Sequence, residues 1–357
     1  MGKIKVTVIG IPLYANIIKK IVQKTPQISF IGTATDLKEG ENYIRLSDIV
    51  LLDVSLFTNN VESLLDNVFQ IKPVPVIVLA DGSVNQTAKT VSAMSAGAVD
   101  FIKMNEQKRN RNEEDFDRNV ISKIVHARKT KVHHPKNVEK EMKESSNMRQ
   151  RSSTERRRTQ IEHDAIVAIG CSTGGPRALH KLLSDIPKNF KAPILIVQHM
   201  PSGFTKSLAD RLNNVSEIHV KEATDGEIIK RGTAYIAPGD FHMVVDQKQS
   251  NLTINLTKEE TRLGHRPSVD ILLESIAKIN NCHKIIVILT GMGRDGAEGV
   301  KKIKRSERDA IVIAESDETA VINGMPSAAI ATSCVTEVLR IENIGEALVD
   351  YTNTRGY

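Results

Sequence analysis

The sequence predicts an α/β protein of two doubly wound parallel-sheet domains joined by a charged linker. Three observations carry that prediction. Short Val- and Ile-rich runs alternate with amphipathic stretches along both halves, which is the pattern of strands covered on both faces by helices. The 357 residues exceed what one hydrophobic core usually spans. Between the halves lies a segment poor in apolar residues and rich in charge. The divisions read from these shifts are a first domain over 1–128, a linker over 129–160 and a second domain over 161–357.

In the first half KVTVIG, ISFIGTA, IVLLDV and PVIVLA read as strands bounded by Gly, Asp or Pro. NIIKKIVQK, VESLLDNVF, AKTVSAMSAG and DRNVISKIVHARK show i, i+3, i+4 apolar spacing and read as helices. From residue 129 to 162 there are ten Lys/Arg against five Asp/Glu, so this stretch supplies +5 of the net charge of +6. It buries too little surface to offset the entropy of ordering and is expected to be solvated, with at most a transient helix over 138–148. Patterning returns with AIVAIG, APILIVQHM, TAYIAPGD, LTINL, KIIVILTGMG and AIVIAE as strands. RALHKLLSDI, FTKSLADRLNN, VDILLESIAKI and AEGVKKIKR read as helices, and a hairpin is expected where TAYIAPGDFHMVVD meets LTINLTKE.

Several function classes drop out at this stage. The chain has no run of about 18 apolar residues and no secretory-leader pattern, so a soluble cytoplasmic protein without membrane insertion is expected. The basic stretch carries no aromatic residue to stack on bases, which argues against a nucleic-acid partner. Cys171, Cys282 and Cys334 form an odd set without metal-ligand spacing. Buried thiols are expected, with no disulfide framework, no metal and no cofactor.

The chemistry concentrates at strand ends of the second half. Gly170-Cys171-Ser172-Thr173-Gly174 fits the G-x-S-x-G elbow, in which a sharp strand-to-helix turn exposes a serine oxygen. A helix start with small residues also binds phosphate, and a purely structural turn uses the same residues, so both alternatives stay open. A serine hydroxyl needs a base to remove its proton, and the base needs an orienting group. Gln198-His199 ends the run ILIVQHM, and Asp295 sits among Gly291, Gly293 and Gly296 after IIVILT. Asp295 is alternatively the N-cap of the helix that follows it. Ser, His and Asp at three strand ends are harder to dismiss together than singly.

The motifs IGCSTGGPRAL, ILIVQHMP, AYIAPGDFHM, GHRPSVDILLESIA and LTGMGRDGAEG, in this order, closely resemble the bacterial chemotaxis response-regulator methylesterases, the CheB family. The resemblance spans the whole second domain. It implies a methylesterase catalytic domain with Ser172 as nucleophile, His199 as general base and Asp295 as orienting carboxylate. It further implies an oxyanion donor in the Met292 region and a role for Thr173 in positioning the histidine, although a hydroxyl at a helix start also serves as a simple cap. The implied reaction hydrolyses glutamate γ-methyl esters on methyl-accepting chemotaxis receptors with release of methanol. Deamidation of glutamine is its companion activity, and a chemotaxis histidine kinase is a further implied partner.

The first domain is similar to two-component receiver domains through SDIVLLDVSL, where Asp53 corresponds to the phosphate-accepting aspartate. Its surroundings depart from that pattern. VTVIGIPLY places Gly10 and Ile11 where receivers carry the acidic pair that holds Mg²⁺. Ala80 replaces the hydroxyl residue after PVIVL, and Met104-Asn105 stands at the Lys-Pro position, with Lys103 one place early. A single carboxylate is a weak Mg²⁺ site, so the phosphorylation apparatus reads as stripped. Two readings from other classes remain at this point: a nucleotide- or phosphate-binding module, and a non-catalytic regulator that binds receptors.

Overall fold

A computed structural model describes residues 2–56, 61–104, 113–130, 165–248 and 251–353. They fall into two compact units, within residues 1–134 and 135–357. Residues 131–160 of the expected linker, including the expected helix over 138–148, lie outside the described residues.

The first unit runs β1 (Ile4–Ile9), α1 (Pro12–Gln23), β2 (Ile28–Ala34), α2 (Leu37–Leu46), β3 (Ile49–Asp53), α3 (Val61–Ile71), β4 (Val76–Ala80), α4 (Val84–Ser95), β5 (Asp100–Lys103) and α5 (Glu113–Ala127). Its five strands are all parallel in the order β2-β1-β3-β4-β5. That is the flavodoxin-like doubly wound order. β3 and β4 are buried at every position, which is why their sequences are apolar runs, broken only by Asp53 at the end of β3. Two elements escaped the periodicity reading. α2 buries only Gly40 and Ile44, so its apolar stripe is thin. Its start is nonetheless written in the sequence as a capping box: Asp36 accepts the Glu39 N–H, and Glu39 reaches back to the Thr35 N–H. β5 is only four residues long.

The second unit runs β6 (Ala165–Cys171), α6 (Gly175–Ser184), β7 (Ile194–Gln198), α7 (Phe204–Asn213), β8 (His219–Glu222), β9 (Thr233–Ile236), β10 (His242–Lys248), β11 (Asn251–Thr257), α8 (Val269–Ile276), β12 (His283–Ile288), α9 (Ala297–Ser306), β13 (Ile311–Glu315), α10 (Gly324–Ile330), β14 (Glu337–Leu339) and α11 (Ile341–Asn353). Seven strands form a parallel sheet in the order β14-β13-β12-β6-β7-β9-β8. The chain leaves β6 toward β7 on one side and returns to β12 on the other, so the strand order reverses at β6. Crevices at the carboxyl ends of strands form at such a switch point.

The expected hairpin exists with a correction. β10 pairs antiparallel with β11, from His242 opposite Thr257 to Lys248 opposite Asn251, whereas TAYI forms β9 within the large sheet. The turn after β9 carries the chain out of the sheet before β10 begins. The hairpin's inward side chains Met243, Val245, Leu252 and Ile254 join Leu272, Leu273 and Ile276 of α8 in one core with β6 and β12. α8 is thereby seated against the strands that end at the site. Cys171 and Cys282 are buried, whereas Cys334 is only partly so, contrary to the expectation for all three. No helix of the described residues is long and apolar enough to cross a membrane.

Candidate active site

Ser172 directly follows β6, whose seven residues are all buried. The turn that presents it is held from both neighbouring strands. The Ser172 N–H donates to the Thr290 carbonyl beyond β12 (3.0 Å), and the Ser172 carbonyl accepts from Gly175 N–H (2.8 Å) and from Gln198 Nε2 beside it (2.9 Å). The glycines here have different reasons. Gly174 adopts φ +81°, a left-handed conformation that side chains disfavour. A Cβ on Gly175 would lie 2.0 Å from Gln198 Oε1, so this position has no room for a side chain.

His199 follows Gln198, and its N–H donates to the Cys171 carbonyl at 3.1 Å, which seats it beside the serine turn. Its ring is buried. Nε2 bonds to Asp295 Oδ2 at 2.8 Å, while Nδ1 is buried with no hydrogen-bond partner. His265 stacks flat on the ring, with centroids 3.8 Å apart and planes 6° from parallel. The structure thus brings Ser172, His199 and Asp295 to one end of the sheet. The serine–histidine hydrogen bond is not formed, and catalytic hydrogen bonds in ligand-free structures are often long.

Asp295 is fully buried yet ionised. Besides His199 it accepts from Ser268 Oγ (2.9 Å), Val269 N–H (2.7 Å) and Asp270 N–H (3.0 Å). Burial alone would raise its pKa, but the hydrogen bond and charge of His199 and the N–H groups at the start of α8 outweigh it and hold the carboxyl at about 2. The N-cap alternative is therefore corrected. The N-cap of α9 is Gly296 (φ +99°), and the Asp295 carboxylate lies on the N-terminus of a different helix, α8.

The exchange is mutual. Asp270, in the first turn of α8, turns its Oδ1 to the N–H groups of Gly296 (3.0 Å) and Gly299 (2.7 Å) at the start of α9. Each helix start is capped by an aspartate from the other, which fixes the Asp295 loop. Burial pushes the Asp270 carboxyl up to about 6; the Gly299 and Gly296 N–H groups pull it down, and the charge of Asp295 adds to the rise. Ser268, Asp270 and His265 lie inside a motif that carries the resemblance, but no spacing rule connects them to partners 25 to 66 positions away.

Met292 lies in the loop after β12. Its neighbour Gly291 packs so closely on the nucleophile turn that a Cβ there would stand 2.9 Å from Ser172 Cβ and 2.3 Å from Met325 Sδ. Gly291 thus serves close approach, whereas Gly293 supplies a positive φ of 88°. The Thr173 carbonyl accepts from Thr290 Oγ at 2.9 Å, so Thr173 is tied to the same loop. Another cluster offers cation ligands: His283, Glu307 and Asp309 place ligand atoms within 4.8 Å of one another. It lies at the opposite end of β12, and Lys284 Nζ already pairs with Glu307 at 2.9 Å.

Asp53 belongs to the first unit. It ends β3 at the β1/β3 switch point, completely buried. Its Oδ2 accepts from Ile11 N–H (3.1 Å) and its Oδ1 from Ser55 N–H (2.8 Å). Gly10 packs directly on the side chain, where a Cβ would lie 2.5 Å from Asp53 Cβ. Mg²⁺, which a receiver would hold here, does not fit this donor set: the β1 loop offers no carboxylate, and each Asp53 oxygen already accepts one backbone N–H.

A family model described as CheB methylesterase matches residues 167–348. The protein-glutamate methylesterase/protein-glutamine glutaminase of Oceanobacillus iheyensis is 39% identical over 352 residues, covering 98% of this chain and 99% of its own length. That of Halalkalibacterium halodurans is 38% identical over 355 residues, covering 98% of each. The crystal structure of the Thermotoga maritima CheB methylesterase catalytic domain is 48% identical, with a TM-score of 0.51, and covers 52% of this chain and 98% of that one.

Proposed function

This chain belongs to the CheB methylesterase family and is a protein-glutamate methylesterase/protein-glutamine glutaminase, and we propose that it works as a serine-type hydrolase through Ser172, His199 and Asp295. The observation that carries the proposal is the buried His199–Asp295 pair at the strand ends beside the serine turn. The carboxylate engages Nε2, which leaves Nδ1 as the ring nitrogen that exchanges protons with Ser172. Ser172 Oγ attacks the side-chain carbonyl of a glutamate methyl ester on a chemoreceptor and gives its proton to His199. The tetrahedral intermediate expels methanol, protonated by the imidazolium, and leaves an acyl-enzyme. Water, deprotonated by His199, releases the glutamate. With glutamine the leaving group is ammonia.

Asp295 stabilises the imidazolium electrostatically and keeps the ring in one orientation. Met292 N–H is assigned to the oxyanion, since Gly291 lets that loop approach the serine. The Gly175 N–H is committed to the Ser172 carbonyl and is not a second donor. Thr173 positions the serine turn through its tie to Thr290. We place the chain in the cytoplasm, with the division into 1–128, 129–160 and 161–357 as its working domains. The caged Asp53 disfavours a phosphoryl relay from a histidine kinase. Methanol release from methylated receptor membranes tests the reading: the full chain should release it, and Ser172→Ala should not. Release by Ser172→Ala at the wild-type rate would refute it.

A further inference from the structure

β13 is an apolar strand that ends in a buried acid. Glu315 is 1% exposed, an expensive place for a carboxylate. Its hydrogen bonds show what it holds. Oε2 accepts the Thr290 N–H at 2.7 Å, and Oε1 accepts from Thr319 Oγ at 3.0 Å. Thr290 lies two residues past the end of β12, so its N–H takes this side chain as acceptor.

Thr290 is the hub of the serine turn. Its carbonyl receives the Ser172 N–H at 3.0 Å. Its hydroxyl donates to the Thr173 carbonyl at 2.9 Å and accepts the Ile322 N–H at 2.9 Å. The Ile322 carbonyl in turn holds the Gly291 N–H at 2.9 Å, next to Met292. One residue therefore joins the loops after β6, β12 and β13, and Glu315 holds its N–H.

We propose that Glu315 is a positioning residue for the nucleophile, acting through Thr290 on Ser172 and on the Gly291–Met292 loop. It touches neither substrate nor reacting atoms. Arg177 on α6 and Glu342 near the start of α11 act on it electrostatically, and its own charge adds to the rise that burial imposes on the Cys171 thiol of β6. Burial pushes Glu315 up to about 7, which the Thr290 and Thr319 hydrogen bonds partly oppose. The bond to Thr290 needs only a lone pair, so it is available from the neutral acid or from an amide as well as from the carboxylate.

The proposal rests on Ser172 being the nucleophile, and the test separates the two. Methanol release from methylated receptor membranes is measured for the full chain with Glu315→Met, Glu315→Gln and Ser172→Ala, alongside urea unfolding midpoints. Glu315→Met removes the acceptor while keeping a linear side chain. Its kcat should fall roughly 30- to 100-fold with KM nearly unchanged, the scale expected for an ångström-level misplacement of a reacting group. Glu315→Gln keeps an oxygen for Thr290, lets its amide donate to Thr319 Oγ, and should restore most of the rate. Should Glu315→Met not accumulate as folded protein, Thr319→Val removes the hydroxyl that steadies Oε1; it should lower kcat about threefold to tenfold, with Thr319→Ser restoring it. An inactive Ser172→Ala beside a wild-type kcat in Glu315→Met, or in Thr319→Val, overturns the Glu315 proposal alone. Equal losses in folded Glu315→Met and Glu315→Gln overturn it too, because charge and not acceptance would then matter. An active Ser172→Ala overturns the nucleophile assignment instead.

Discussion

Replacing Asp295 by asparagine tests how a buried carboxylate serves the histidine, and the structure fixes what the change removes. Four donors converge on two oxygens: His199 Nε2, Ser268 Oγ, Val269 N–H and Asp270 N–H. An amide offers one oxygen. If its nitrogen takes the Oδ1 side, the Asp270 N–H loses its acceptor. If it takes the Oδ2 side, the Val269 N–H does, and His199 must switch tautomer to accept at Nε2. An orphaned buried N–H costs about 1–3 kcal/mol. The carboxyl's fall from 3.8 to about 2 measures the preference of the folded site for the anion, worth about 2 kcal/mol. The expected loss of stability is therefore roughly 2–3 kcal/mol, which leaves a typical domain folded. The rate should suffer more: a wrongly held imidazole costs about 10⁴ in kcat, or roughly 5 kcal/mol of barrier. Methanol release at neutral pH reads the rate, and urea unfolding reads the stability. A folded Asp295→Asn whose kcat stays within about tenfold of wild type would refute the orienting role. The stabilisation is complete above about 4 and is lost as pH falls through about 2, so Asp295→Asn should lose less stability than wild type on acidification across that window.

Ser172→Ala, His199→Ala and their combination should each lower kcat by about 10⁴- to 10⁶-fold, because members of one catalytic unit are not additive; multiplying losses would speak against a shared mechanism. Asp270→Asn keeps an oxygen for the Gly296 and Gly299 N–H groups. Since the folded carboxyl is raised to about 6, wild type loses stability as pH rises from about 4 through about 6. Asp270→Asn should therefore gain on wild type between urea midpoints measured at pH 5 and pH 8, and an unchanged gap would remove Asp270 from that titration. Acetyl phosphate with Mg²⁺ should neither label Asp53 nor change the esterase rate, as read by intact mass and methanol release; stoichiometric labelling with activation would overturn the caged reading. Gly10→Ala should lower the melting temperature of the first unit by an overpacking cost of about 1–3 kcal/mol, given the 2.5 Å approach of its Cβ to Asp53; an unshifted melt would show that the gap can open.

The sequence by itself determined the strands that the fold buries on both faces. β3, β4, β6, β7 and β12 are written around apolar runs, with polar residues only at their ends, because a parallel sheet under two helical layers leaves no polar face. It also exposed Ser172, His199 and Asp295 as polar residues at the ends of such runs. Short edge strands left a fainter trace: β8 keeps an exposed residue and β14 has none fully buried, so neither shows the apolar run. α11 leaves its trace in Ile341, Ile344 and Leu348 at helical spacing. What only the tertiary structure decided is which partner each strand end meets. The reversal of strand order at β6 puts the loops after β12 and β13 beside Ser172, and the hairpin core seats α8 so that its first N–H groups point at Asp295. Local periodicity reports burial of a residue's own face. It carries no record of a hydrogen bond to a loop 25 residues away, which is why Ser268, Asp270 and Glu315 became visible only when the chain was folded.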